Sequence, residues 1–313
     1  MKFSAHIFFT ILVGVSVAIA APGDPYTWRD STFDYISEDS SDIAKEISVP
    51  KLVGVSSTLL LAYGAAYVFV FSKGWWDDDE GGDFHFENDF DYALNLDKFG
   101  HFFGGVVIAD VFYEGYRWSG VSEFNSYLFA GLAAMSTHIA IDIKDGFAPT
   151  WGFSIFDVLS GTLGGFYPMA ERYVPLFKYI DLKMSYWINS DAYYDQEHSA
   201  SGSGIWTDDY VNQTYWLSIK PYRILPAAAR KYYPSWLAFA AGLSIDEGVF
   251  IKDYKGTPHR EVYIALDYDL EAFRPQSRLA RQAVKWLNLI KFPAPTVQVY
   301  PEVHWYWLYP IKF

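Results

Sequence analysis

Two stretches of this sequence put acid, base and ammonium groups at helical spacing. Asp97 and His101 are four residues apart, hence on one face of a helix, and Lys98 sits about a quarter turn away from them. His138, Asp142 and Asp145 fall at i, i+4 and i+7, again one face, and Asp157 stands near the start of the next helical segment. Their neighbours are apolar: Phe99, Phe102, Phe103, Val106 and Val107; Ile139, Ile141 and Ile143; Phe153, Ile155 and Phe156. Ionisable groups in such company are costly unless paired, hydrated or functional. Three chemistries suit these residue types, and the sequence leaves all three open. His101 can serve as an acid–base group oriented by Asp97, with Asp142, Asp145 and Asp157 holding a metal or the cationic part of a substrate. The His and carboxylate groups can bind a divalent metal outright. Or the cluster is an ion-pair network that pins helices, with Lys98 neutralising a carboxylate. The cofactor stays open: G-x-S-x-G, H-E-x-x-H and GxxxxGK[ST], which would have named one or a reaction, are all absent.

The elements that must carry these groups suggest an α+β chain in two halves. Met1-Lys2, an uncharged apolar run over residues 8–19 and Ala18-Ile19-Ala20 form the pattern of a signal peptide over residues 1–20. Residues 21–50 are polar and acidic. Residues 51–175 read as a bundle of about four apolar helices, membrane-embedded or membrane-associated, over 52–72, 96–118, 125–144 and 154–172. The first is long enough to cross a bilayer as a helix of ~30 Å. Gly100 with Gly104, and Gly161 with Gly165, are small-residue pairs that let helices approach closely. Between the first two helices lies an acidic run with Asp77, Asp78, Asp79, Glu80, Asp83, Glu87, Asp89 and Asp91. It lacks the glycine placement of a calcium loop and reads as a solvated surface loop.

Residues 176–313 read as antiparallel strands over 214–219, 235–245, 261–270 and 296–313, with short helices over 224–232 and 277–289. The second helix carries Arg278, Arg281 and Lys285 at helical spacing, a basic face suited to anionic headgroups or to an ordinary surface. Alternation places Trp305, Trp307, Tyr309, Ile311 and Phe313 on one face, as in the closing strand of outer-membrane β-proteins. Four or five strands fall short of the eight or so that a closed single-chain barrel needs, so a partial sheet packed on the helices, or pressed against a membrane, is expected.

Composition narrows the partners. A net charge of −13 speaks against a nucleic-acid binder. With no cysteine, disulfides, thiol catalysis and a lipid-modified Cys are excluded. Twelve Trp and 25 Tyr suit a membrane–water interface.

The stretch Asp97-Lys98-Phe99-Gly100-His101-Phe102 resembles the D-K-x-x-H-F opening of YfiM-like proteins, a family of uncharacterised bacterial envelope proteins that are often lipoproteins. Further similar stretches are residues 116–122, 144–147 and 151–154, Asp157 with Gly161 and Gly164, and residues 212–218, 234–237 and 291–295. The opening also resembles VanZ-like membrane proteins in part. The resemblance implies a cell-envelope address, and neither family supplies a reaction. The sequence thus suggests an exported envelope protein, at the outer membrane before the inner, in a structural or binding role. Its partners would be membrane lipid and another envelope protein. The alternative is an enzyme acting on an envelope lipid or glycan.

Overall fold

The computed structural model describes residues 46–66, 81–149, 151–194, 206–273 and 275–312. The expected signal peptide and the end of the apolar run 52–72 lie outside these residues. The chain is α+β: a helical region followed by a six-stranded antiparallel sheet with short helices.

Four helices come first: α1 Val49–Ala66, α2 Leu96–Trp118, α3 Glu123–Asp145 and α4 Ile155–Tyr173. The tight links Ser119-Gly120 and Gly146 to Ser154 turn α2, α3 and α4 back on one another. Glycine sets the closest crossing. A methyl group on Gly105 would lie 2.2 Å from the Gly161 carbonyl, and one on Gly164 would lie 1.9 Å from the Phe102 carbonyl. The pair Gly161 and Gly165 is therefore a crossing point, as its spacing suggests. Its counterpart on α2 is Gly105; Gly100 instead faces Tyr210 and Tyr215. By length and composition α3 is apolar enough to cross a membrane; 39% of that stretch is buried within the protein, and Phe124, Phe129, Leu132 and Ile143 are exposed. α1 packs Val55 and Leu59 against Val111 of α2.

The sheet runs β1 Ile180–Tyr186, β2 Gln213–Ile219, β3 Leu237–Ile245, β4 Arg260–Tyr268, β5 Ala294–Tyr300 and β6 His304–Tyr309, each strand antiparallel to the next. β1 was not expected. Its inward positions are Asp181, Lys183 and Ser185, so its alternation runs polar-in and hides a half-buried strand. The single strand expected over 296–313 is two, because Pro301 removes a donor and the chain turns back. The expected aromatic face divides as well. Ala294 pairs with Tyr309 and Thr296 with Tyr306, so two residues of β5 span three of β6. That bulge turns Tyr309 inward with Tyr306, away from the face of Trp305 and Trp307. The helix expected over 224–232 is two single turns, α5 Pro221–Ile224 and α6 Ala227–Arg230, separated by Pro226.

The sheet curls so that one face becomes an interior. Thr214 of β2 reaches the Tyr309 hydroxyl of β6 at 2.7 Å. At the β1 edge, Met184 N donates to Leu289 O (2.9 Å) and Lys291 N donates to Met184 O (2.9 Å). The interior is polar. Lys183 Nζ lies 2.9 Å from Asp267 and donates to Tyr268 O (2.7 Å) and Asn288 Oδ1 (3.1 Å). Lys291 Nζ lies 3.8 Å from Asp267 and 5.2 Å from the Trp216 ring centre.

Helix α7, Arg278–Asn288, joins the halves. Trp286 enters the α1–α2 core, Lys285 Nζ pairs with Asp110 of α2 at 2.9 Å, and Asn288 donates to Asp181 of β1 at 2.9 Å. Lys285, expected on a headgroup-facing or surface-facing side, thus points at the bundle.

Two substitutions test this packing. Asp267→Ala takes the nearest carboxylate from buried Lys183 and Lys291, leaving Asp181 as a more distant counter-charge for Lys183, a loss of about 3–5 kcal/mol that a thermal melt should register as loss of the folded sheet. Gly164→Ala drives a methyl into the α2 backbone and should cost on the order of 1–3 kcal/mol, whereas Gly54→Ala, with nothing within 4 Å, should leave the melting temperature unchanged or slightly higher.

Candidate functional site: an Asp–Lys–His centre

The chain enters α2 through a left-handed turn. Ala93 (φ 46°), Leu94 (φ 51°) and Asn95 (φ 69°) all occupy a conformation that costs a non-glycine residue ~1–2 kcal/mol. Outside groups hold it. Arg260 of β4 donates through Nε to Leu94 O (3.0 Å) and through Nη2 to Asn95 Oδ1, while Asn95 Nδ2 donates to Phe90 O. The turn delivers Asp97 and Lys98, both buried, into the space between α2, α4 and the acidic loop, and sends Leu96 into a core with Tyr210, Tyr215, Ile245 and Phe250.

Lys98 Nζ is the hub. It lies 2.7 Å from Asp89, 2.7 Å from Asp97 and 2.6 Å from Asp157. His101 Nε2 is 3.5 Å from Asp157, with 23% of the His101 side chain exposed. The His101 and His138 rings meet at 5.6 Å, and His138 Nδ1 donates to Ala134 O at 2.9 Å. Ser154 ties the groups together. Its backbone N–H donates to Asp142 (3.1 Å), its hydroxyl donates to Asp89, and the same hydroxyl accepts from the Asp157 backbone N–H (3.2 Å) while capping α4. Asp97 Oδ1 and Asp142 Oδ2 are buried with no hydrogen-bond partner.

Of the residues singled out from sequence, Asp97, Lys98, His101, His138, Asp142 and Asp157 converge. Asp145, at the end of α3, acts on the cluster through its charge, which helps raise Asp142. Asp89 and Ser154 were missed. The acidic run was expected to be a solvated loop; in its described part, Gly82 N donates to Phe147 O, His85 N to Gly146 O and Glu87 N to Phe153 O. Its phenylalanines pack on the same segment, Phe84 on Phe147 (5.2 Å), Phe86 on Phe153 (5.3 Å) and Phe90 on Phe156 (4.9 Å). Phenylalanines interleaved with acids were the signal that this loop docks.

Burial governs protonation. It raises Asp97 to about 7 against the pull of Lys98, and raises Asp142 to about 8 with help from Asp157 and Asp145. Burial and a hydrogen bond with Asp89 raise Asp157 to about 7. Burial also works to raise Asp89, but hydrogen bonds with Asp157, Lys98 and Ser154 outweigh it and hold that carboxyl low. The pair therefore shares one proton, carried on Asp157. Burial lowers His101 to about 4, with Lys98 adding to the effect, and lowers His138 to about 4, with His101 adding. For Lys98, burial is overcome by Asp157 and Asp97, and the ammonium stays charged. Asp89, Asp97 and Asp157 offer oxygens within 4.8 Å of one another, the spacing of a metal site. The Lys98 ammonium already supplies a cation to that set.

Residues 79–169 match a family described as "Predicted periplasmic lipoprotein (DUF2279)". The match covers the Asp97-to-Phe102 stretch and every residue of the centre. No curated protein and no solved structure matches the chain.

The centre dictates a pH dependence. Asp97, Asp142 and Asp157 keep their protons in the fold to about 7 or 8, and half-buried Glu171 of α4 does so to about 8; unfolded, they lose them near ~4. The folded chain binds the extra protons, so stability falls as pH rises through that window. His101 and His138 act oppositely, since the unfolded chain is the one that binds protons up to ~6.5. Above that the carboxyls dominate until Lys178 and Lys291, both lowered to about 8 by burial, begin to act the other way, so the melting temperature should fall most steeply between pH ~6.5 and ~7.5. Asp142→Asn should make the fall shallower; a melting temperature that is flat or rising across this range contradicts the assignment.

Proposed function

We propose that this chain works in the bacterial cell envelope, exported and membrane-bound, at the outer membrane, in a structural or binding role and not as an enzyme. One observation carries the non-enzymatic part: the Lys98 ammonium sits within 2.7 Å of three carboxyl groups drawn from the acidic loop, α2 and α4. A centre that neutralises itself in this way uses its charges to join segments. The address rests on the signal-peptide pattern, the aromatic content and the description of the matched family. The 313 residues contain no cysteine, the residue on which a lipoprotein anchor is built.

A second reading, an enzyme acting on an envelope lipid or glycan, draws on different features. His101 keeps an exposed edge beside Asp157, and two buried carboxyl oxygens lack partners.

Paired substitutions separate the readings. Lys98→Met strips the cation from three buried carboxyl groups, which costs about 3–5 kcal/mol, so the protein level should drop. His101→Ala leaves the hub intact and should preserve both the protein level and the complementation of a deletion strain. Normal level with lost complementation for His101→Ala transfers the case to the enzyme. Density-gradient separation of the two membranes checks the address: recovery with the outer membrane is expected, and recovery in the soluble periplasmic fraction would remove the membrane from the proposal.

A further inference from the structure

The two faces of the sheet have their polarity reversed. On the interior face, pairing aligns Lys183 with Trp216, Trp216 with Gly242, Gly242 with Tyr263 and Tyr263 with Gln298. The adjacent interior row runs Asp181, Ser218, Ala240, Ala265, Thr296 and Tyr306. The outward row between them runs Leu182, Leu217, Ala241, Ile264, Val297 and Trp305, one residue from each of the six strands, with no polar side chain among them. Beside it, Ile219 pairs with Phe239 and Phe239 with Leu266. Leu217, Ile264 and Trp305 are 50%, 54% and 55% exposed, while Lys183 and Asp267 inside are 1% exposed. At one end of β2 and β3 this side of the sheet is closed by protein, since Gln213, Tyr215 and Ile245 are buried there with Leu96 and Tyr210; over β1 to β4 the exposed charged residue on this side is Arg260, at a strand end.

A sheet built for water places these sets the other way round, because exposed apolar area costs roughly 25 cal/mol per Å². Alternation with apolar residues outward and polar residues inward is the pattern of a sheet whose solvent is hydrocarbon. We propose that the outward face of the six-stranded sheet is a lipid-contact surface, covered by the acyl chains of a bilayer. This rests on the membrane-bound reading above and deepens it by naming the surface. Acyl chains fit better than a second copy of the chain for a geometric reason. The apolar row follows the outside of a curled sheet through all six strands, from Leu182 to Trp305. One rigid partner covers an arc of such a convex surface, whereas a fluid phase covers all of it. Apolar side chains are exposed on the helical half as well, where Leu159 and Leu163 of α4 are 52% and 64% exposed. Lipid meets both without a change of partner.

The chain has no cysteine, so single labels can be placed on it without background. The full-length protein carrying Leu217→Cys, Ile264→Cys or Lys255→Cys would be spin-labelled and reconstituted into phosphatidylethanolamine–phosphatidylglycerol vesicles. Its collision rates with oxygen, which concentrates in lipid, and with a water-soluble nickel chelate would then be compared. The oxygen-to-nickel ratio should be several-fold higher at 217 and 264 than at 255, which lies in an exposed loop. Nickel access at 217 and 264 equal to that at 255 overturns the proposal, because the face then meets water. Exclusion of both agents with spin–spin broadening also overturns it, because a second copy then covers the face. Vesicle flotation distinguishes the two layers of the argument. Protein that fails to float defeats the membrane-bound reading itself, and protein that floats with water-facing labels defeats the surface assignment alone.

Discussion

The Lys98 ammonium is where the acidic loop, α2 and α4 meet, and the helical half depends on how its charge is shared. Three carboxyl groups surround one cation in a space largely closed to water. An isolated buried ion costs several kcal/mol, so the group of four is tolerable only if its net charge stays near zero. The structure reaches that state by keeping protons on Asp97 and Asp157 and leaving the charge on Asp89. Asp142, beside them, is likewise pushed toward its neutral form. Nearby His101 and His138 are kept uncharged, which prevents a second cation from competing for the same carboxylates. Ser154 then fixes which carboxyl faces which, since its backbone and hydroxyl address Asp142, Asp89 and Asp157 together.

The sheet buries charge by a different route. Its interior lysines lean on one carboxylate, Asp267, and on carbonyls, a side-chain amide and the face of Trp216. The two halves are connected through α7, which gives a tryptophan to the helical core, a lysine to Asp110 and an asparagine to the sheet interior. A helix whose basic residues suggested a surface role is thus a strut, because its partner acids lie on another element.

Much of the fold was legible because helical periodicity is local. The long apolar runs predicted α2, α3 and α4 to within a few residues, and the i, i+4 spacing of Asp97 with His101 and of His138 with Asp142 picked out residues that the fold brings together. What stayed hidden depended on partners distant in sequence. Asp89 stands in a run of acids that looks solvated, and only docking against residues 146–153 brings it to Lys98. β1 escaped notice because Lys183 and Asp181 occupy its inward positions, a pattern that reads as loop unless the interior is known to be polar. The bulge that turns Tyr309 inward is invisible to strict alternation, which is why the aromatic face seemed continuous through residue 313. The reversed polarity of the sheet was present in the sequence, but its sign is undefined until the structure shows which face is closed.

The left-handed turn at Ala93, Leu94 and Asn95 carries a consequence for the order of assembly. Its clamp, Arg260, comes 166 residues after Leu94. Pairings so far apart in sequence form slowly. The N-terminal half therefore leaves the ribosome, and any export channel, before the residue that secures its key turn exists outside. Asp110 waits in the same way for Lys285, 175 residues later. The helices cannot mature first and serve as a template for the strands. Both halves must settle together: until β4 arrives the turn lacks its clamp, and until α7 arrives Asp110 lacks the lysine that pairs with it.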